Sequence, residues 1–96
     1  MLLEVPYKEN DIISMKLGSG EEIVGKLLSE DEGNLQVSKP LMLTATQEGV
    51  GLAPFMFTVA PDAKYTFKKS VVLCVLKTHE DMAKSYIQNT TGISLA

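Results

Sequence analysis

ISMKLGSGEEIVGKLLSEDEGNLQV, residues 13–37, is the stretch of this sequence that determines its predicted fold. Apolar and polar residues alternate up to Leu17, which is typical of a strand that buries one face. Glycines and a serine at 18–20 then suit a tight hairpin turn, and a second strand is predicted over 21–30. Gly25 lies in the middle of that strand, where a glycine indicates a sharp bend or a close approach of another backbone.

Short apolar runs separated by turn residues continue along the rest of the chain. They predict strands over 11–17, 21–30, 35–46, 52–60 and 71–76, with a short extended piece at 65–67. Pro40 cannot donate a hydrogen bond within a sheet, so we expect it at an edge or a bulge. The run VVLCVL is apolar throughout, which favours a strand buried on both faces with Cys74 as a small buried residue.

The predicted core follows from the parity of apolar residues along these strands. The residues expected to face inward are Ile13, Met15, Leu17, Ile23, Gly25, Leu27, Leu35, Val37, Leu41 and Leu43, together with Phe55, Phe57 and Phe67. Tyr7 and Tyr65 are less constrained, and each is either a partly exposed strand residue or a group that stacks on a base.

A C-terminal helix is predicted over 78–90. Thr78 and Asp81 have the spacing of a capping box, and Gly92 fits a helix stop. Met82, Ala83, Tyr86 and Ile87 form an apolar stripe at helical spacing. This stripe covers either the chain's own sheet or a partner protein.

Composition limits the function classes that remain. Ninety-six residues make one domain, 1–96. A single cysteine excludes a disulfide scaffold, and one Cys with one His (Cys74 and His79) cannot complete a zinc site, so we expect no metal and no cofactor. One His and one Cys also cannot supply the nucleophile, base and orienting group of a catalytic site, so we expect that the protein is not an enzyme. Without a long apolar run or a signal-like start, a cytoplasmic location with no membrane partner is expected.

The charge distribution is acidic and uneven. The net charge is −3, and all nine basic residues are lysines. Residues 1–50 hold four lysines against nine acidic residues, whereas residues 51–96 hold five lysines against three. This pattern argues against a non-specific basic coat for nucleic acid. A core this small is marginal, so we expect the open strand edges to pair with other copies of the chain.

Two segments resemble the two motifs of the Sm/LSm/Hfq family of small RNA-associated barrels. The first is 13–37, with its alternating apolar residues, its glycines, Asp31 and Asn34. The second is FKKSVVLCV, residues 67–75, in which an apolar residue, two lysines and a serine precede an apolar strand. The whole chain is also similar to small Sm-like proteins of bacteriophages, especially those that infect cyanobacteria, and a phage origin implies the host cytoplasm.

The resemblance implies an all-β fold, a strongly bent five-stranded open barrel over about 11–77 followed by the helix at 78–90. It also implies homo-oligomeric rings of about five to seven copies, joined through strand edges. It places RNA-binding residues in two loops, with Asp31 and Asn34 in the first and Lys68, Lys69 and Ser70 in the second. The expected function is that of a non-enzymatic module that binds single-stranded RNA or acts as an RNA chaperone.

Each of these assignments has an alternative. Lys68 and Lys69 either contact phosphate or are two solvated lysines in a turn. Asp31 and Asn34 either contact a base or close an Asx turn on their own backbone. Family members commonly have a glycine after the basic residue, and here Lys69 occupies that position. Such departures favour the alternative function, a structural or protein-interaction ring of phage type without RNA recognition.

Overall fold

The computed structural model describes residues 6–91 of the chain. Its strands and helix are β1 (Ile12–Leu17), β2 (Glu22–Glu30), β3 (Asn34–Thr46), β4 (Gly49–Pro54), β5 (Lys64–Lys68), β6 (Val72–Lys77) and α1 (Glu80–Thr91), with a 3-10 turn at Lys69–Val71. Every strand pairing is antiparallel. The prediction of a small β-rich domain with a C-terminal helix is therefore confirmed.

The strands form one open sheet in the order β4-β3-β2-β1-β6, with β5 also pairing with β3. β3 is long enough to carry two strands on one edge. Its first half, 34–38, pairs with β5, and its second half, 41–46, pairs with β4. Within residues 6–91, β6 and the two strands beside β3 are the outer edges of the sheet. Six strands form instead of five because the short extended piece predicted at 65–67 is a full strand, β5, that pairs with β3. The strand predicted at 52–60 begins earlier, at Gly49, and ends at Pro54.

The sheet bends where β3 changes partner. The β2–β3 register shifts between Val24 and Lys26, and the residues of β3 at this point are Lys39, with a φ of 48°, and Pro40. Gly25 lies opposite this bulge, and a Cβ there would overlap with Cγ1 of Val37. Of the two positions predicted for Pro40, an edge or a bulge, the structure has the bulge. The close approach, one of the two features predicted at Gly25, is present, because a Cβ there would overlap with the Val37 side chain.

The core is formed by alternate side chains of β1, β2, β3 and β5. Its buried members are Ile13, Met15, Leu17, Ile23, Leu27, Leu35, Val37 and Phe67. Beyond the bulge the parity of β3 changes, so Met42 packs against this core. Leu41 and Leu43, which the uninterrupted alternation predicted as core residues, are only half-buried. A bulge adds one residue to a strand and so moves the following side chains to the other face.

The prediction that the last strand is buried on both faces is wrong. Leu73 is 70% exposed and Leu76 is 50% exposed, and Cys74 is exposed as well. The reason is that β6 is an edge strand whose one partner among residues 6–91 is β1. Phe57 is likewise 79% exposed rather than in the core, because the chain leaves the sheet after β4.

The predicted helix is present, but its cap differs from the prediction. The hydroxyl of Thr78 lies 2.8 Å from the hydroxyl of Ser14, so it is not used as a helix cap. Instead, Nδ1 of His79 accepts a hydrogen bond from the backbone N–H of Asp81 at 3.3 Å. Gly92, predicted as the helix stop, lies outside the described residues.

Tyr86, one residue of the apolar stripe of α1, packs on the chain's own sheet. The Tyr86 side chain is buried, and its hydroxyl lies 2.8 Å from the carbonyl oxygen of Ser38 and 2.9 Å from that of Lys39. Nζ of Lys39 donates to the carbonyl oxygen of Thr90 at 3.2 Å. Ile87, however, is 43% exposed, so the buried part of the stripe is narrower than predicted.

Candidate nucleic-acid interface

The two loops that the sequence singled out lie side by side at one end of the sheet. Asn34 is paired with Lys68 in the β3–β5 register, and the backbone N–H of Lys69 donates to the carbonyl oxygen of Gly33 at 2.8 Å. Strand pairing therefore brings together segments that are more than 30 residues apart in sequence. We call residues 30–34 and 68–70 the loop cluster.

Asp31 organises its own loop. Its Oδ1 accepts hydrogen bonds from the backbone N–H groups of Gly33 and Asn34, both at 2.8 Å. These hydrogen bonds lower the pKa of the Asp31 carboxyl below its ordinary value, because they stabilise the charged form. This geometry is the Asx turn that was the alternative to base contact. The carboxylate is nevertheless exposed, and its neighbours Glu30 and Glu32 add two more negative charges.

Lys69 is paired with a carboxylate of the same subunit. Its Nζ lies 2.7 Å from Oε2 of Glu30, and the same oxygen accepts a hydrogen bond from the Tyr7 hydroxyl at 3.1 Å. The hydrogen bond with Glu30 raises the pKa of Lys69. Burial, followed by the hydrogen bond to Glu30, raises the pKa of Tyr7. Lys69 is therefore a cation whose charge is locally balanced.

Glu30 was not predicted as a member of this site, and Tyr7 was considered for it only as a residue that stacks on a base. Glu30 is visible in the sequence only as the first residue of an acidic run, and Tyr7 is 23 residues away from it. Tyr7 is half-buried against the core, which places its hydroxyl beside the β2–β3 turn. Tertiary contacts, and not a local motif, bring these two side chains to Lys69.

Lys68 and Ser70 are the exposed polar residues of the second loop. Lys68 is the last residue of β5, and the ion pairs formed among residues 6–91 do not include it. Its ammonium group is thus available to an external anion. A lysine ammonium is a compact point charge, which suits a phosphate oxygen better than the edge of a base.

The aromatic residues near the site face the interior. The ring centroids of Phe55 and Phe67 are 5.5 Å apart, and those of Tyr65 and Phe67 are 6.1 Å apart. Phe67 is buried, and Phe55 and Tyr65 pack against the core. Tyr7 also packs against the core. Tyr7 and Tyr65, for which the sequence allowed either packing or base stacking, are therefore both partly buried.

Residues 6–91 were also compared with the patterns of metal sites and membrane-spanning helices. In the 6–91 range, no three His, Cys, Asp or Glu side chains are grouped so that they could hold a metal ion. In that same range, no helix has the length and apolar character needed to cross a membrane. Comparison of the sequence with protein-family models gives no match, and comparison with curated proteins gives none either.

Proposed function

We propose that this chain is an Sm-like subunit that assembles with copies of itself into a ring and binds single-stranded RNA at the loop cluster. The observation that carries the proposal is the pairing of Asn34 with Lys68, which joins the two loops that the family resemblance associates with RNA. Phosphate contacts come from Lys68 and Lys69, and Asp31, Asn34 and Ser70 line the same surface.

The open edges of the sheet support self-assembly. β5 uses one edge to pair with β3, and β6 uses one edge to pair with β1. Around β6, the apolar side chains Val71, Leu73 and Leu76 are each at least half exposed. If β5 of one copy pairs with β6 of the next, both backbone edges gain hydrogen bonds and this apolar surface is covered. Head-to-tail pairing of this kind closes into a ring when the rotation between copies permits it.

Assembly would also bring the unpaired lysines of several copies together, along with the acidic residues of the same loops. One subunit offers a single unpaired lysine at the site and has a net charge of −3. A ring of about five to seven copies would bring the same number of Lys68 side chains to one opening, where their potentials add. The RNA-binding proposal therefore requires the assembled form.

Two measurements on the full chain test the proposal. Light scattering coupled to size exclusion gives the copy number, and fluorescence anisotropy with a labelled oligouridine gives the RNA affinity. Lys68→Ala should weaken binding several-fold and lower its salt dependence, because one phosphate contact per subunit is lost. Lys64→Ala, at the other end of the same strand, is the matched control with the same change in charge. Equal effects of the two substitutions would place RNA elsewhere.

The alternative is a structural or protein-interaction ring, and two observations favour it. Glu30 already balances the charge of Lys69, and Asp31 is used in its own turn. An assembled ring that binds no oligouridine at low salt would support this alternative. A monomer in dilute solution would contradict both functions.

A further inference from the structure

We propose that Glu30, positioned by Tyr7, competes with RNA phosphate for Lys69 and so limits the affinity of the loop cluster for RNA. This inference rests on the proposed RNA-binding function and identifies a residue that regulates it. RNA would bind Lys69 by exchange, with a phosphate oxygen taking the place of the Glu30 carboxylate.

The geometry makes this competition direct. Oε2 of Glu30 is 2.7 Å from Nζ of Lys69, which is the distance of a strong charge-assisted hydrogen bond. A phosphate oxygen is an acceptor of the same kind and charge. If both anions stayed on Lys69, two negative groups would share one positive charge and repel each other. Binding of phosphate therefore favours departure of the carboxylate.

Tyr7 keeps the carboxylate in place. Its hydroxyl donates to the same Oε2 at 3.1 Å, while its ring packs against the buried core. Glu30 is thus held from one side by a group that the core anchors, and from the other by Lys69. A glutamate at a strand end has several rotamers, and these two contacts select one of them.

The ion pair is still open to exchange. The Lys69 and Glu30 side chains are 35% and 31% exposed, so solvent and ligands reach both. The pair therefore weakens RNA binding without preventing it.

Glu32 provides a matched control on the same loop. It is exposed, and the ion pairs among residues 6–91 do not include it. Glu32→Gln removes one negative charge per subunit from the loop cluster, as Glu30→Gln does. Long-range repulsion of RNA decreases in both variants, but only Glu30→Gln frees Lys69.

The test measures oligouridine affinity of the full chain by anisotropy, with light scattering to verify that each variant keeps the wild-type copy number. Glu30→Gln should bind about two- to fivefold more tightly than Glu32→Gln, which is the range expected for an exposed ion pair. In a Lys69→Met background the two glutamine variants should bind equally. Tyr7→Phe, which keeps the ring and loses the hydroxyl, should give a smaller gain.

The outcomes separate this inference from the function on which it rests. Wild-type binding with equal affinities for Glu30→Gln and Glu32→Gln would overturn the competition and leave the RNA function standing. Binding of oligouridine by Glu30→Gln, and by neither the wild type nor Glu32→Gln, would support the competition. A correctly assembled chain that binds oligouridine in no variant would overturn both.

Discussion

The hydroxyl groups of Ser14 and Thr78 lie 2.8 Å apart, although 64 residues separate them in sequence. The backbone N–H of Thr78 also donates to the carbonyl oxygen of Ile12 at 2.9 Å. Thr78 is only 8% exposed, so its hydroxyl has little access to water. The start of α1 is therefore attached to β1 through Thr78, and the local cap at the helix start is His79 instead.

Thr78→Val should lower the free energy of unfolding by about 1 kcal/mol, because the Ser14 hydroxyl keeps its desolvation cost and loses its partner. The double variant with Ser14→Ala should recover part of this loss, since neither polar group then remains. Urea denaturation of the four members of the cycle gives the coupling free energy. Strictly additive losses would show that the two hydroxyls do not interact.

Gly25→Ala should destabilise the chain by about 1–3 kcal/mol, because the new Cβ overlaps with the Val37 side chain inside a packed core. Gly33→Ala is the control, since no atom outside its chain neighbours lies within 4 Å of a Cβ placed there. Thermal denaturation followed by circular dichroism measures both. An unchanged melting temperature for Gly25→Ala would contradict the close approach at the bend.

Alkaline pH should destabilise the protein partly through Tyr86. Burial raises the pKa of Tyr86 from 10.0 to about 12. Between these values the unfolded chain releases the phenolic proton while the folded chain retains it, so the free energy of unfolding falls as pH rises. The stabilisation is complete below pH 10, and a loss of about 2–3 kcal/mol is expected as the pH rises through 12.

Tyr86→Phe isolates this contribution from the lysines and other tyrosines that titrate in the same range. At neutral pH the variant should be about 1 kcal/mol less stable, because the carbonyl oxygens of Ser38 and Lys39 lose a donor. Above pH 10 the difference between the two proteins should shrink and then reverse, because the expected loss of about 2–3 kcal/mol exceeds the wild type's advantage of about 1 kcal/mol. Parallel losses of stability up to pH 12 would mean that Tyr86 ionises normally.

The ring assembly proposed above predicts that Leu73→Glu gives monomers without unfolding the chain, since Leu73 is 70% exposed and a charge on an edge strand opposes pairing with another strand. Phe57→Glu is the control, because Phe57 is 79% exposed but lies outside the strands. Light scattering gives the mass of each variant, and circular dichroism verifies the fold. Retention of the assembly by Leu73→Glu would exclude the β6 edge as the contact.

Much of the fold was accessible from local pattern. Alternation in β1 predicted its three buried residues, and Gly25 and Pro40 predicted the bend, because strand parity and backbone restrictions act over a few residues. The loop residues Asn34 and Lys68 were also predicted to belong to one site, on the strength of a family resemblance, and strand pairing places them opposite each other.

By itself, then, the sequence indicated most of the strands and turns, since those depend on neighbours in the chain, and the strand predicted at 52–60 is the exception. Only the tertiary structure decided which strand became an edge, and hence that Leu73 and Cys74 are exposed despite an entirely apolar run. It also decided the electrostatic state of Lys69, whose partner Glu30 is 39 positions earlier. The exposure of Leu73 and Cys74 and the charge balance of Lys69 depend on which distant segments contact each other. The short-range periodicity of the sequence does not predict those contacts.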